Sequence, residues 1–154
     1  MVGLATLSWT SAAPGLPAPL GSPASEAPSE GRPTVVLDQL DFPKEVVDHA
    51  EFRAHLLRFL KREAARADWG AGGGNRIEYR FEVSQLRFVV SEDALTIHCS
   101  AVGRLPGGHS AKSELSFGGS LLERKKLTKK VLGIVAHGVL VRLSELERRR
   151  RGLR

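Results

Sequence analysis

The residues best suited to chemistry in this sequence are five cations near the start of its last predicted helix. They are Arg124, Lys125, Lys126, Lys129 and Lys130, in the segment RKKLTKK, and we call them the basic cluster. Cations at a helix N-terminus are opposed by the partial positive charge of the helix dipole, by about 0.3–1 kcal/mol each. Because folding does not favour this placement, we predict that the cluster binds an anion, either a phosphate or a lipid head group.

The other residue types that commonly carry chemistry do not combine into a catalytic motif. His98 and Cys99 are neighbours on a predicted strand and therefore face opposite sides, so they cannot act as a nucleophile and its base. His137 lies in an apolar stretch of a helix and is predicted to be a partly buried packing residue. HExxH and GxSxG motifs are absent. We predict no catalytic residue, no metal site and no cofactor.

Two glycine-rich segments have the composition of nucleotide-binding loops but the wrong context. GRLPGGHS, residues 103–110, places His109 where a phosphate-binding loop has lysine, and it leads into a strand. GAGGGN, residues 70–75, follows a helix and precedes a strand, the reverse of the dinucleotide-binding order. We predict a tight turn for the first segment and a loose connection for the second.

Positive charge is concentrated at the end of the chain. The net charge of the 154 residues is +6, yet residues 123–154 contain eleven Lys/Arg against three Glu and carry +8, which leaves −2 for the rest. Localised positive charge favours an anionic partner. Arg148–Arg151 lie at a predicted helix C-terminus, where cations favour the dipole, so stability alone explains them. Residues 149–154 are predicted to be a basic tail.

The first 33 residues are predicted to be a disordered leader rich in Pro, Ala and Ser. Six of the eight prolines fall between positions 12 and 33, and this composition buries too little apolar surface to offset the entropy of ordering. The start, VGLATLSWTSAA, resembles the end of an export signal, although the first basic residue is Arg32. Two locations stay open: the periplasm or cell envelope if the start is an export signal, and the cytoplasm otherwise.

Hydrophobic periodicity predicts the order β-α-β-β-β-α for residues 34–148. The first strand is predicted over 34–42, the first helix over 46–67 and the second helix over 127–147. Between the helices, three strands begin near Ile77, Leu95 and Ala111 and alternate apolar with polar residues. The apolar phase of the first of these slips after Val83, which predicts a β-bulge at 84–85.

The apolar pattern also predicts how the layers pack. Because each of the three strands is apolar on one side only, both helices should cover that side. The buried stripe of the second helix is predicted to consist of Val131, Ile134, Val135, Val139, Leu143 and Leu146. The fold class is therefore α+β, a two-layer sandwich with a mainly antiparallel sheet and two helices on one face.

From the first helix onward, the order α-β-β-β-α with KKLTKK opening the last helix resembles a double-stranded-RNA-binding domain. In that family, lysines at this helix start contact phosphates across a major groove. The resemblance implies that Lys125, Lys126, Lys129 and Lys130 contact duplex RNA.

The complete order β-α-β-β-β-α resembles the small accessory lipoproteins of the bacterial outer envelope, such as the lipopolysaccharide-assembly lipoproteins. The likeness includes the first strand and the proline-rich leader. It implies a non-enzymatic role in binding and assembly, with an envelope protein or an anionic lipid surface as the partner of the basic cluster. We favour this interpretation and keep the double-stranded nucleic-acid-binding module as the alternative.

Overall fold

The computed structural model describes residues 31–153 and confirms the order β-α-β-β-β-α. The elements are β1 (Thr34–Asp41), α1 (His49–Arg66), β2 (Arg76–Ser91), β3 (Ala94–Arg104), β4 (Ser110–Ser120) and α2 (Arg124–Arg150), with a 3-10 turn at Leu121–Glu123 directly before α2. The leader predicted over residues 1–33 lies outside the described residues except for its last three positions.

The four strands form one sheet that is buried on one face. Its order is β1-β2-β3-β4, with β1 parallel to β2 and the other pairs antiparallel. The apolar positions of β2 and β3 are buried together with residues of both helices: Ile77, Tyr79, Phe81, Val83, Leu95, Ile97, Cys99 and Ala101. The alternate positions of these strands are exposed or half-buried. The predicted two-layer α+β sandwich, with both helices on one face, is confirmed.

The β-bulge predicted in β2 is present. The register of β2 against β3 shifts between Val83 and Gln85. Beyond the bulge, Phe88 pairs with Ile97 on the core side but is only half-buried, and Val90 is 54% exposed. Because β1 ends opposite Glu82, the far half of β2 lies at an edge of the sheet.

The first helix begins three residues later than predicted. Asp48 has a φ of 63°, in the left-handed region, so the helix cannot include it. Val46 was predicted as the first helical residue, but it lies in a turn where its carbonyl accepts a hydrogen bond from the His49 N–H at 3.1 Å. Val46 is nevertheless buried, which is why the apolar pattern included it.

The second helix is longer than predicted and buries a wider surface. The Ser120 hydroxyl accepts a hydrogen bond from the Leu122 N–H at 3.2 Å, which opens the 3-10 turn that continues into α2. The prediction for Ile134 is wrong, because its side chain is 46% exposed. Leu132 and Leu140 are buried instead, since α2 packs against α1 as well as the sheet. The other predicted positions are buried or half-buried: Val131, Val135, Val139, Leu143 and Leu146.

Close contact between α2 and β3 depends on Gly103. A Cβ at this position would lie 2.5 Å from Cγ1 of Val139 and 2.6 Å from Cδ1 of Leu143. The helix therefore rests directly on the backbone of β3, which allows both α2 side chains to be fully buried.

The arginines at the end of α2 pack against the connection between α1 and β2. Arg151 donates hydrogen bonds to the carbonyls of Trp69 and, at 2.7 Å, Ala71. Arg148 forms an ion pair with Asp68 at 3.1 Å. The basic tail predicted over 149–154 thus begins within the helix, and Arg151 contributes to the fold.

Candidate functional site

The basic cluster lies at the end of the molecule where both helices begin. All five of its residues fall in the first two turns of α2. Glu51, in the first turn of α1, lies beside them, which places the N-termini of the two helices at the same end. The sequence prediction that the cluster opens the last helix is confirmed, whereas its binding of an anion stays a prediction.

Two lysines of the cluster share one carboxylate. The Nζ atoms of Lys125 and Lys129 each lie 3.2 Å from a carboxylate oxygen of Glu51. Hydrogen bonds lower the pKa of Glu51, and the one from Lys125 has a larger effect than the one from Lys129. The hydrogen bond between Lys125 and Glu51 also raises the pKa of Lys125. These two lysines are therefore partly neutralised within the fold.

The other three cations meet no carboxylate among residues 31–153. The Arg124 guanidinium lies 4.4 Å from the centre of the Phe88 ring, and the Lys130 ammonium lies 4.9 Å from that of Phe117. Such cation–π contacts orient a side chain without neutralising its charge. Lys126 is exposed and forms no hydrogen bond or ion pair with any described residue. The structure thus brings the five residues to one helix end but turns them toward different neighbours.

Apolar and acidic groups adjoin the cluster. Leu122, in the turn before α2, is 97% exposed. The neighbouring Leu121 N–H donates to the Asp93 carbonyl at 2.9 Å, which holds the acidic turn between β2 and β3 close to the start of α2. A ligand that approaches this end of the molecule would meet an exposed leucine and both signs of charge.

A groove on the helical layer continues from the cluster. It has a volume of about 450 Å³ and lies between α1 and α2, with Lys129 and Lys130 at one end. The remaining lining residues are His55, Phe59, Arg62, Gly133, Ile134 and His137. The sequence does not reveal this groove, because its two walls are more than 60 positions apart in the chain. The available signal was the helical spacing of His55, Phe59 and Arg62.

His137, predicted to be a partly buried packing residue, is exposed and contacts an acidic side chain. Its side chain is 62% exposed, and its Nδ1 lies 3.0 Å from Oε2 of Glu63 on α1. The apolar neighbours along the chain face the core from the other side of α2. His55, across the groove, has a pKa lowered by burial and by nearby cations, of which Lys129 contributes most.

The two neighbouring residues on β3 that could carry chemistry, His98 and Cys99, face opposite sides of the sheet. Cys99 is buried, and burial raises the pKa of its thiol to about 12, so it is not a thiolate near neutral pH. His98 Nδ1 lies 2.6 Å from the Ser116 hydroxyl, a pair that the sequence did not indicate. Within residues 31–153, no acidic side chain hydrogen-bonds this histidine to orient it. No group of three or more potential metal ligands occurs in that same range.

The turn between β2 and β3 differs from what a double-stranded-RNA-binding domain requires. In that family, the corresponding loop enters a minor groove. Here it consists of Glu92 and Asp93, two acidic residues that would meet the phosphates. In addition, β1 is a full member of the sheet. The resemblance to that family is not supported.

No family model matches this chain, and no curated protein matches it in sequence. Solved structures match at low identity. A PelC dodecamer from Paraburkholderia phytofirmans is 8% identical, with a TM-score of 0.42 over 74% of this chain and 95% of that one. A lipoprotein-type protein from Caulobacter crescentus is 11% identical, with a TM-score of 0.41 over 75% and 90% of the two chains. A minor lipoprotein from Acinetobacter baumannii is 10% identical, with a TM-score of 0.35 over 75% and 92%. Lipoprotein-type proteins thus occur among the structural neighbours, and at these values they identify no family.

Proposed function

We propose that this protein is a non-enzymatic binding and assembly accessory of the bacterial cell envelope that contacts an anionic lipid surface through its basic cluster. The observation that carries the proposal is the charge left unpaired at the start of α2. Arg124, Lys126 and Lys130 meet no carboxylate within residues 31–153, at a helix end where cations are opposed by the dipole. Head-group phosphates would supply the missing counter-charge.

Leu122 favours a lipid surface over a nucleic acid. Its side chain is 97% exposed, two residues before Arg124. Removing a leucine from water stabilises a complex by about 1.5–3 kcal/mol, and a bilayer interface offers apolar surface beside its phosphates. The outer surface of duplex RNA offers phosphates and ribose hydroxyls but no comparable apolar layer. An exposed leucine next to unpaired cations therefore matches a lipid surface better.

Binding to vesicles tests the proposal. Vesicles that contain phosphatidylglycerol should bind the protein at low salt and release it at high salt, whereas phosphatidylcholine vesicles should not bind it. Lys126→Gln and Arg124→Gln should each weaken binding about fivefold, because one cation near an anionic membrane contributes about 1 kcal/mol. Arg149→Gln is the matched control, since Arg149 is an exposed cation near the other end of α2. Equal binding to both kinds of vesicle, or variants that bind like the wild type, would overturn the proposal.

The same variants test the alternative partner. If the protein instead bound duplex RNA with a log–log salt slope of about −4 and ignored anionic vesicles, the nucleic-acid module would replace the envelope proposal. Lys126→Gln should then reduce that slope by about 1.

A further inference from the structure

We infer that the groove between α1 and α2 binds a single-chain anionic amphiphile, one acyl chain that carries a phosphate or carboxylate. The groove shares Lys129 and Lys130 with the basic cluster but lies on the outer surface of the helical layer. It does not depend on attachment to a membrane. Its volume of about 450 Å³ is within the range of about 300–1,000 Å³ that small-molecule sites occupy.

An apolar surface lines the middle of the groove. Phe59 lies against Gly133, where a Cβ would be 3.2 Å from Cε2 of the ring. The glycine therefore lets the phenylalanine lie close to α2 and keeps the groove free of a side chain at that point. Ile134 adds an apolar side chain that is 46% exposed, although its sequence pattern predicted burial. An acyl chain along this surface would cover both residues.

The charge around this surface is positive. Arg62, Lys129 and Lys130 are among the lining residues, and none of the lining residues is acidic. Two carboxylates contact lining residues, since Glu51 pairs with Lys129 as well as Lys125, and Glu63 pairs with His137 at 3.0 Å. Arg62 and Lys130 pair with no carboxylate among residues 31–153. An anionic head group would therefore find cations whose charge is not fully compensated.

The combination favours an amphiphile over an extended peptide. Both walls are helices, whose backbone hydrogen bonds are internal, so the groove offers no strand edge along which an extended chain could pair. What it offers is a short apolar patch with cations beside it. One acyl chain with one anionic head satisfies both features.

Titration calorimetry with dodecyl phosphate below its micelle concentration tests this site. We expect dodecyl phosphate to bind at least about tenfold more tightly than inorganic phosphate and than a neutral dodecyl glycoside, a difference of about 1.4 kcal/mol. Ile134→Glu places a carboxylate on the apolar surface and should weaken binding by about tenfold or more. Val141→Glu is the matched control, because Val141 is 39% exposed on the same helix and outside the groove.

Several outcomes would overturn the inference. One is that inorganic phosphate or the neutral glycoside binds as tightly as dodecyl phosphate. Another is that the Ile134→Glu protein binds dodecyl phosphate as tightly as the wild type does. If thermal melting shows that Ile134→Glu unfolds, Arg62→Gln on α1 replaces it and should also weaken binding of dodecyl phosphate. Lys126→Gln, which should weaken attachment to vesicles, should leave this binding unchanged because Lys126 does not line the groove. Failure of one site is therefore distinguishable from failure of the other.

Discussion

The carboxylate of Glu51 on α1 lies 3.2 Å from the ammonium of Lys125 at the start of α2. The second carboxylate oxygen reaches Lys129 at the same distance. One acidic residue of the first helix thus partly neutralises two lysines of the second, and it does so at the end where we propose that the protein meets an anionic surface. We therefore expect this arrangement to stabilise the fold and to oppose the proposed anion binding, two effects that can be measured separately.

Glu51→Gln should strengthen binding to anionic vesicles. The substitution removes the carboxylate that competes with lipid phosphates for Lys125 and Lys129, so we expect an increase of up to about fivefold in affinity. Glu45→Gln is the control, because Glu45 is an exposed carboxylate that pairs with no described residue. Sedimentation with phosphatidylglycerol vesicles measures both. Weaker binding by Glu51→Gln would show instead that Glu51 holds the lysines in their binding orientation.

The same ion pair should make stability depend on acid pH. Hydrogen bonds from Lys125 and Lys129 lower the pKa of Glu51 in the folded state below its unfolded value. The contribution of Glu51 to folding stability is therefore present above its pKa in the unfolded state. It is lost as the pH falls through its pKa in the folded state. Wild type should melt at a higher temperature than Glu51→Gln at neutral pH, and the gap should close in acid. A gap that is constant with pH would mean that the carboxylate charge is not responsible.

The order of elements could be predicted because two periodicities are clear in the sequence. Ile77 to Val83 alternates with period two, and its phase slip after Val83 marks the bulge that the register shows. The exact ends of the elements were harder to predict. The left-handed backbone of Asp48 makes α1 begin at His49, whereas the buried Val46 still fits the apolar pattern of a helix. Periodicity indicates which residues are buried, but it does not determine the backbone conformation at the first residue of a helix or strand.

The surroundings of the basic cluster could not be predicted because they depend on contacts between distant segments. The cluster itself was visible from its composition, but the position of Glu51 beside Lys125 requires the packing of α1 on α2. The sequence pattern places Ile134 in a single buried stripe, whereas α2 packs against both α1 and the sheet and leaves Ile134 46% exposed. The groove follows from that same packing.

Arg151 should be required for stability although it belongs to a run of arginines. It donates to the carbonyls of Trp69 and Ala71, and its Nε lies 3.4 Å from Oε1 of Glu147, whose side chain is 5% exposed. Arg151→Ala should lower the free energy of unfolding by about 2–4 kcal/mol. The buried carboxylate of Glu147 would keep its ion pair with Arg150 but would lose the one with Arg151. Urea denaturation measures the change. Arg149→Ala, an exposed neighbour, should stay within about 0.5 kcal/mol of wild type.

If the two arginine variants unfolded at the same urea concentration, the contacts of Arg151 with the α1–β2 connection would contribute nothing. The end of α2 would then be held by the core alone.

Gly103→Ala should destabilise the fold by overpacking. The new methyl group would lie 2.5 Å from Val139 and 2.6 Å from Leu143, both fully buried, so α2 would have to move away from β3. Overpacking of this kind costs about 1–3 kcal/mol. Gly118→Ala is the control within the same sheet, because its Cβ would be no closer than 3.7 Å to a neighbouring atom. Equal unfolding midpoints for the two variants would show that α2 is loosely packed over β3.

Cys99 should report unfolding through its reactivity. The thiol is buried on β3, and burial raises its pKa to about 12, so both access and ionisation protect it in the folded protein. At mildly alkaline pH, alkylation should be slow in buffer and fast in urea, with a rate that follows the unfolded fraction. Because Cys99 is the single cysteine of the chain, mass spectrometry gives one modification to count. Gly103→Ala should speed alkylation in proportion to its loss of stability, whereas Gly118→Ala should not. Rapid alkylation of the wild type in buffer would show instead that the sheet and α2 separate locally, without unfolding of the whole domain.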